Sequence, residues 1–337
     1  MTRRTFLGAS AAGAATFGQT PAVRTSMGLT PDAFAILRPP RTALEFLEKA
    51  HSIGAGGVQA TLASTEPEYL KRVRRRTEEL GMYFELLLPL PPEDTTQFEQ
   101  FVRAGKEAGA LCIRTACLSG RRYETFATLE QWKAFVADSK ARIARAVPIV
   151  EKHRLPLGIE NHKDWTAEEM PVLLKSYSSE YLGANIDFGN NLSLLDDPME
   201  LIEALAPFVF NTHIKDMGVE EYEDGFLLSE VPLGQGILDL KRIVPMLQSK
   251  RPGLRFSLDM LTRDPLRIPC LTEKYWVTFP ERNGRYLART LALVRAHKPR
   301  RPLPRISGLD REAQLKLELE ILTECLRYAR EELGLRG

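Results

Sequence analysis

From Ser26 to His297 the chain alternates short β-rich runs with stretches whose apolar residues recur every three or four positions, the pattern of βα units around a parallel sheet. The apolar runs predict strands at Gly57–Leu62, Met82–Leu88, Leu111–Leu118, Leu155–Asn161, Leu182–Phe188, Phe208–Lys215 and Leu254–Leu261. Helical spacing predicts Ala43–Ile53, Pro67–Leu80, Gln97–Ala108, Leu129–Lys152, Ala167–Ser176, Pro198–Ala204, Leu240–Gln248 and Arg282–Ala296. Gly54, Gly81, Gly109 and Pro156 punctuate the joints. A further strand inside Ser26–Leu37 completes eight repeats, so the expected fold class is α/β, a (β/α)8 TIM barrel rather than an open doubly wound sheet.

Beyond His297 the run KPRRPLPR reads as an extended proline-rich linker, and Asp310 then opens a helix with Leu315, Leu319, Leu322 and Leu326 mostly along one face. Such a face packs on the barrel or on a partner subunit, which makes a homo-oligomer one expectation. At the other end Thr2–Gly8 reads TRRTFLG, followed by a small-residue run from Ala9 to Phe17. This resembles a twin-arginine export leader, and the organisation expected is a leader over 1–25, a barrel over 26–298 and a linker with a C-terminal helix over 299–337. The location that follows is periplasmic or otherwise exported. No later run approaches the roughly 20 apolar residues of a membrane span, so no stable membrane insertion is expected once the leader is removed.

Composition narrows the function classes. Over 337 residues, 44% hydrophobic and 27% charged is the balance of a globular chain, not a disordered one. Lys+Arg 46 against Asp+Glu 44 leaves +2, which offers no groove for a nucleic-acid backbone. Cys112, Cys117, Cys270 and Cys325 lack the spacing of a thiolate metal site or a disulfide scaffold.

In a parallel barrel the chemistry sits where strands end. Glu160 in LGIENH, Asp187 in NIDFGN, His213 in NTHIKD and Asp259 in FSLDM fall at the ends of four predicted strands in turn. The steps from Glu160 to Asp187 and from Asp187 to His213 are each about one βα repeat, so the first three project from adjacent strands toward one point. Alternation places His162 on the face of Glu160, Asn185 on that of Asp187 and Lys215 on that of His213. Three carboxylates buried together need a cation to stay ionised. Oxygen donors with one imidazole suit Mn²⁺, Mg²⁺ or Co²⁺, with Zn²⁺ a poorer occupant.

GIENH, NIDFGN, THIKD and PLGQGILDL resemble the xylose isomerase-like TIM-barrel family of sugar isomerases and epimerases, most closely over residues 150–260. The resemblance implies one divalent metal held by Glu160, Asp187, His213 and a fourth carboxylate at Asp259, where most members carry Glu. It implies proton abstraction beside the carbonyl of a keto sugar, with Glu160 as the base, Asp259 as the opposite acid or a ligand only, and Lys215 and His162 assisting. A lyase that eliminates from a keto sugar or keto-glycoside shares that first step. An abasic-site endonuclease is disfavoured by too few histidines, and a carbohydrate-binding barrel with lapsed catalysis is favoured only by Asp259.

Further candidates come from position. Arg114, inward on its strand, and Glu85 would meet a substrate oxygen or a site carboxylate, and Asn185 shares the inner face. Glu230, in a long loop after the seventh strand, is a rival fourth ligand. The segment from Met260 to Trp276 is expected to cover the mouth, with Trp276 stacking on a sugar ring. Asp216 is expected to cap the loop that follows it.

Overall fold

The computed structural model describes residues 24–38, 40–299 and 301–337. The twin-arginine motif and the small-residue run lie outside the described residues. Eleven strands follow in chain order: β1 Gly28–Leu29, β2 Gly57–Ala60, β3 Tyr83–Leu87, β4 Ile113–Ala116, β5 Leu157–Glu160, β6 Leu182–Asp187, β7 Val209–Ile214, β8 Asp216–Tyr222, β9 Gly225–Val231, β10 Phe256–Leu258 and β11 Leu266–Ile268. Eight of them, all parallel, close a barrel in the order β1-β10-β7-β6-β5-β4-β3-β2. This is the (β/α)8 barrel that the alternating pattern predicts. The seam at β1 is sealed by Tyr83, whose hydroxyl donates to the Phe256 carbonyl (2.9 Å) and accepts from the Gly28 amide (2.9 Å). Its ring fills the space a side chain would take at Gly28 and Gly57: a Cβ would meet it at 2.2 and 2.3 Å.

Two features depart from the expectation. Residues 216–231 are not a loop: β8 and β9 form a hairpin that continues to β11 as an antiparallel three-stranded sheet beside the barrel mouth. The proline-rich segment crosses this sheet, with Leu303 buried against Leu227 and Val231. Helix Gly284–Ala296, expected as the last barrel helix, buries only Thr290 and Val294 and rests on β8 and β9. The terminal helix Arg311–Glu331 closes the ring instead. Buried Glu318 accepts the amides of Ile36 (2.7 Å) and Leu37 (2.6 Å) after β1, and Thr25 bridges to Arg336. No described helix is long and apolar enough to cross a membrane.

Asp216 anchors the loop that carries PLGQG against β8. Its carboxylate accepts the amides of Met217, Gly234, Gly236 and Leu238 at 2.9–3.1 Å, and a Cβ at Gly236 would meet its Oδ1 at 2.2 Å. Asp216 is fully buried, so its removal orphans four donors at once. Asp216→Ala should therefore cost about 3 kcal/mol of stability, measured as a shift of the urea midpoint; a variant within 0.5 kcal/mol of wild type, about the spread of neutral surface changes, would remove this anchor.

Candidate active site

Glu160 ends β5, Asp187 ends β6 and His213 lies on β7, with Asp187 directly opposite His213 in the ladder. All three are buried, and one donor atom from each lies within 4.8 Å of the others. His213 Nδ1 is 3.3 Å from Glu160 Oε2 and 3.8 Å from Asp187 Oδ2. It has no hydrogen-bond partner among the described residues, and Asp187 Oδ2 touches only the Lys215 ammonium, 2.8 Å away and poorly aligned. Buried polar atoms are otherwise almost always paired, so these lone pairs fit a bound cation.

A layer beneath the donors sets their orientation. His213 Nε2 faces Gln59 Oε1 at 2.7 Å, and the Gln59 amide group donates to Glu85 (2.9 Å), which also accepts from Asn211 (3.3 Å). Because the Gln59 amide hydrogens are engaged by Glu85, its oxygen faces the imidazole and Nε2 carries the proton. Nδ1 is left as a lone pair toward the carboxylates, the tautomer a metal ligand needs. Burial alone would lower the imidazole pKa, yet the charges of Glu160 and Asp259 raise it: the site attracts positive charge at Nδ1. Asn161 fixes Asp187 in turn, its amide donating to the Asp187 carbonyl and accepting the Asp187 N–H at 2.8 Å each. Asp187 Oδ1 accepts the amides of Gly189 and Asn190.

The carboxylates are already partly neutralised by protein cations. Arg114 grips Glu160 Oε2 with two nitrogens. Burial would raise the Glu160 carboxyl, but Arg114 and His213 hold it well below the usual range. Lys215 Nζ lies 2.8 Å from Asp187 and 2.5 Å from Asp259, whose other oxygen accepts from Thr30 (2.9 Å). Burial again opposes the charge on Asp259, and Lys215 overcomes it and keeps the carboxyl ionised. His162 donates from Nδ1 to the Leu118 carbonyl (2.9 Å), and burial lowers it to about 4, so it is neutral.

These placements amend several expectations. Asp259 stands outside the three-donor set: its carboxylate is engaged by Lys215 and Thr30, with Oδ2 3.8 Å from His213 Nδ1. Glu85 does not face the cavity; it supports Gln59 from below. Asn185 is buried one pleat beneath Asp187, and its amide finds no partner among the described residues. Trp276 packs toward the core and donates to the Cys270 carbonyl (2.9 Å), away from the mouth. Arg263 and Leu261 are what the segment after β10 brings to the cavity. Glu230 is no loop residue: it sits on β9, lines the cavity and accepts from Arg263 Nε (3.1 Å) and Nη2 (2.6 Å). Lys163, Asp32 and Gln59 were not singled out from the sequence. For Gln59 the signal was there, a polar residue in the apolar run GVQA.

Arg114, Glu160, His162, Lys215 and Asp259 line a cavity of about 310 Å³ at the carboxyl ends of the strands. A roomier cleft of about 600 Å³ lies on the outer face by Trp132 and Phe279, and two of its charged groups, Arg122 and Glu169, pair with each other. The buried unpaired side-chain atom it holds among the described residues is the Trp165 indole N–H, which neither titrates nor ligates a metal, so the cleft does not compete as the chemical site.

Residues 47–278 match the family model for the xylose isomerase-like TIM barrel, and the chain belongs to that family. The 3-oxo-isoapionate decarboxylase of Pectobacterium atrosepticum is 28% identical over 200 residues, 57% of this chain and 68% of that protein. Among solved structures, a D-psicose 3-epimerase superposes with a TM-score of 0.59 at 14% identity over 91% of this chain and 99% of its own. A Mycobacterium smegmatis barrel in complex with magnesium gives 0.54 at 14% identity over 81% of this chain and 100% of its own. At such identities the structures share the fold.

Glu160, Asp187 and His213 thus fit a divalent cation. Glu160→Gln, Asp187→Asn and His213→Ala should each release it, and Gln59→Leu, which leaves every donor in place, should weaken it about 10–100-fold. Metal analysis and titration of the purified variants check this, and unchanged affinity in Gln59→Leu would remove the supporting layer from the argument. A second outcome concerns Asp164, whose Oδ1 accepts two amides while Oδ2 has no partner. Burial pushes this carboxyl up to about 7, from 3.8. The folded state then holds a proton that the unfolded chain releases across that window, so stability falls as pH rises through it. Asp164→Asn should melt above wild type at pH 8 and lose the advantage by pH 4; an equal difference at both pH values would contradict the shift.

Proposed function

We propose that this barrel is a divalent-metal-dependent enzyme that takes a proton from the carbon beside the carbonyl of a keto sugar, as a sugar isomerase or epimerase does. The observation that supports it most is the convergence of Glu160, Asp187 and the unpartnered His213 Nδ1 under a small polar cavity. When bound by these three residues, Mn²⁺, Mg²⁺ or Co²⁺ supplies a Lewis acid for the ketone oxygen. The chain itself supplies the rest. Glu160 is ionised and receives the proton, while the C–H electron pair moves onto the carbonyl oxygen. Arg114 and Lys215, both facing the cavity, stabilise the charge that develops there. In an epimerisation the opposite face needs a proton, and Asp259, itself ionised, passes on one that it takes from the Lys215 ammonium donating to it at 2.5 Å. His162, neutral and fixed through Nδ1, presents its other nitrogen to a hydroxyl.

A lyase is the second reading, and one observation favours it. Both flanking carboxylates are paired with cations, which keeps them ionised but weakens them as bases. Elimination needs only one of them to accept a proton. Decarboxylation, the reaction named for the Pectobacterium relative, needs none before the carbon–carbon bond breaks.

Incubation of the Mn²⁺-loaded protein with keto sugars in D₂O should place deuterium on the carbon next to the carbonyl. With metal in excess, Glu160→Gln should lower that exchange by about 10²–10⁴-fold. Under two-base epimerisation Asp259→Asn retains metal and loses turnover, while Asp259→Glu keeps it. Under one-base elimination Asp259→Asn keeps measurable activity and an unsaturated product accumulates. Turnover with neither exchange nor dependence on Glu160 would overturn proton abstraction.

A further inference from the structure

Three residues past Glu160 the chain turns through Lys163, whose φ of 59° is a left-handed conformation that a side chain enters only under constraint. Lys163 is 7% exposed and lines the same cavity. Its ammonium donates to Asn190 Oδ1, a neutral acceptor, and forms no ion pair among the described residues. Every other cation of the cavity wall is compensated. Arg114 pairs with Glu160, Lys215 with Asp187 and Asp259, Arg263 with Glu230, and Arg121 with Glu124. A buried ammonium without a counter-ion is costly, and strained backbone that holds one beside a cavity points to a ligand. Burial and the nearby Lys215 charge pull Lys163 down to about 8, so it is still mostly protonated at neutral pH.

We propose that Lys163 anchors a carboxylate of the substrate, so that the sugar this site takes is a keto-sugar acid. The proposal rests on the reading of the mouth as a keto-sugar site and names the substrate class. One buried cation without an ion pair matches the single charge of a carboxylate; Asp32, the carboxylate of the wall that forms no ion pair among the described residues, is exposed to solvent. A phosphate dianion would bring a second charge that the paired Arg121 and Arg263 do not meet. Two ammonium hydrogens remain after the bond to Asn190, enough for both carboxylate oxygens. A cavity of about 310 Å³ suits an acid of five or six carbons.

The test separates this subsite from catalysis by using ligands without a carbonyl. D-Gluconate and D-glucitol differ only in carrying a carboxylate or a CH₂OH at one end, and D-glucitol 6-phosphate supplies the competing anion. Calorimetry on the purified full chain should show gluconate binding at least tenfold more tightly than glucitol or its phosphate. Lys163→Met should abolish the preference and melt no lower than wild type, since it removes an uncompensated buried charge, and Lys163→Arg should keep part of it. Equal binding of gluconate and glucitol, no gluconate binding, tighter binding of the phosphate, or a preference that survives in Lys163→Met would each overturn the proposal. Absence of deuterium exchange with an intact, Lys163-dependent gluconate preference would sink the catalytic reading and leave the acid subsite standing.

Discussion

The structure depends on one electrostatic constraint: Glu160, Asp187 and Asp259 are buried around a single imidazole, and no such group of anions stays ionised in a low-dielectric interior without positive charge between its members. The barrel meets the constraint from two directions. Arg114 from β4 reaches Glu160 Oε2, the oxygen that also faces the imidazole, and Lys215, the residue after β7, sits between Asp187 and Asp259. What is left without a hydrogen bond at the centre of the cluster is His213 Nδ1 and Asp187 Oδ2. The metal site is therefore the remainder of a charge balance that the fold has mostly arranged already.

Rigidity follows from the same need. A donor set that could relax would collapse onto itself, so each donor is fixed by a neighbour that has no chemistry of its own. Gln59 and Glu85 hold the imidazole from below, Asn161 clamps the backbone of Asp187, and Asn190 donates to Glu160 Oε1 (3.1 Å). These supports come from strands β2 and β3, from the residue after β5 and from the turn after β6, remote in sequence from what they hold. Closure of the barrel at Tyr83 is what brings β2 and β3 across from β7.

Strand ends were legible in the sequence because barrel repeats are regular: an acid or a histidine at the end of one apolar run recurs at the next, and the three donors at Glu160, Asp187 and His213 lie together as that spacing implies. What was not legible is pairing across the barrel. Glu85 looks like an inward carboxylate available to substrate until Gln59 is seen to occupy it, and no spacing rule connects strands two and three with strand seven. The hairpin of β8 and β9 was readable in principle, since Asp224-Gly225 separates two alternating runs, but a βα rhythm leads the eye to treat anything between strand and helix as loop. Trp276 illustrates the same limit: an aromatic in a mouth-covering segment and an aromatic in a core helix carry the same sequence signature.

Asp259 stands where the resemblance implies a fourth ligand, and both of its oxygens are already engaged. Its Oδ2 accepts from Lys215 and lies 3.8 Å from His213 Nδ1, and its Oδ1 accepts from Thr30. Of the cations that line the cavity, Arg114 pairs with Glu160, Lys215 with Asp187 and Asp259, and Arg263 with Glu230, while Lys163 pairs with no carboxylate among the described residues. A metal bound by Glu160, Asp187 and His213 would add to the positive charge beside Lys163. An uncharged sugar would leave that excess buried, whereas an anionic one offsets it on binding. With Asp259 engaged by Lys215, it is Lys163 that is left without a protein counter-ion, the imbalance that the proposed acidic substrate would offset.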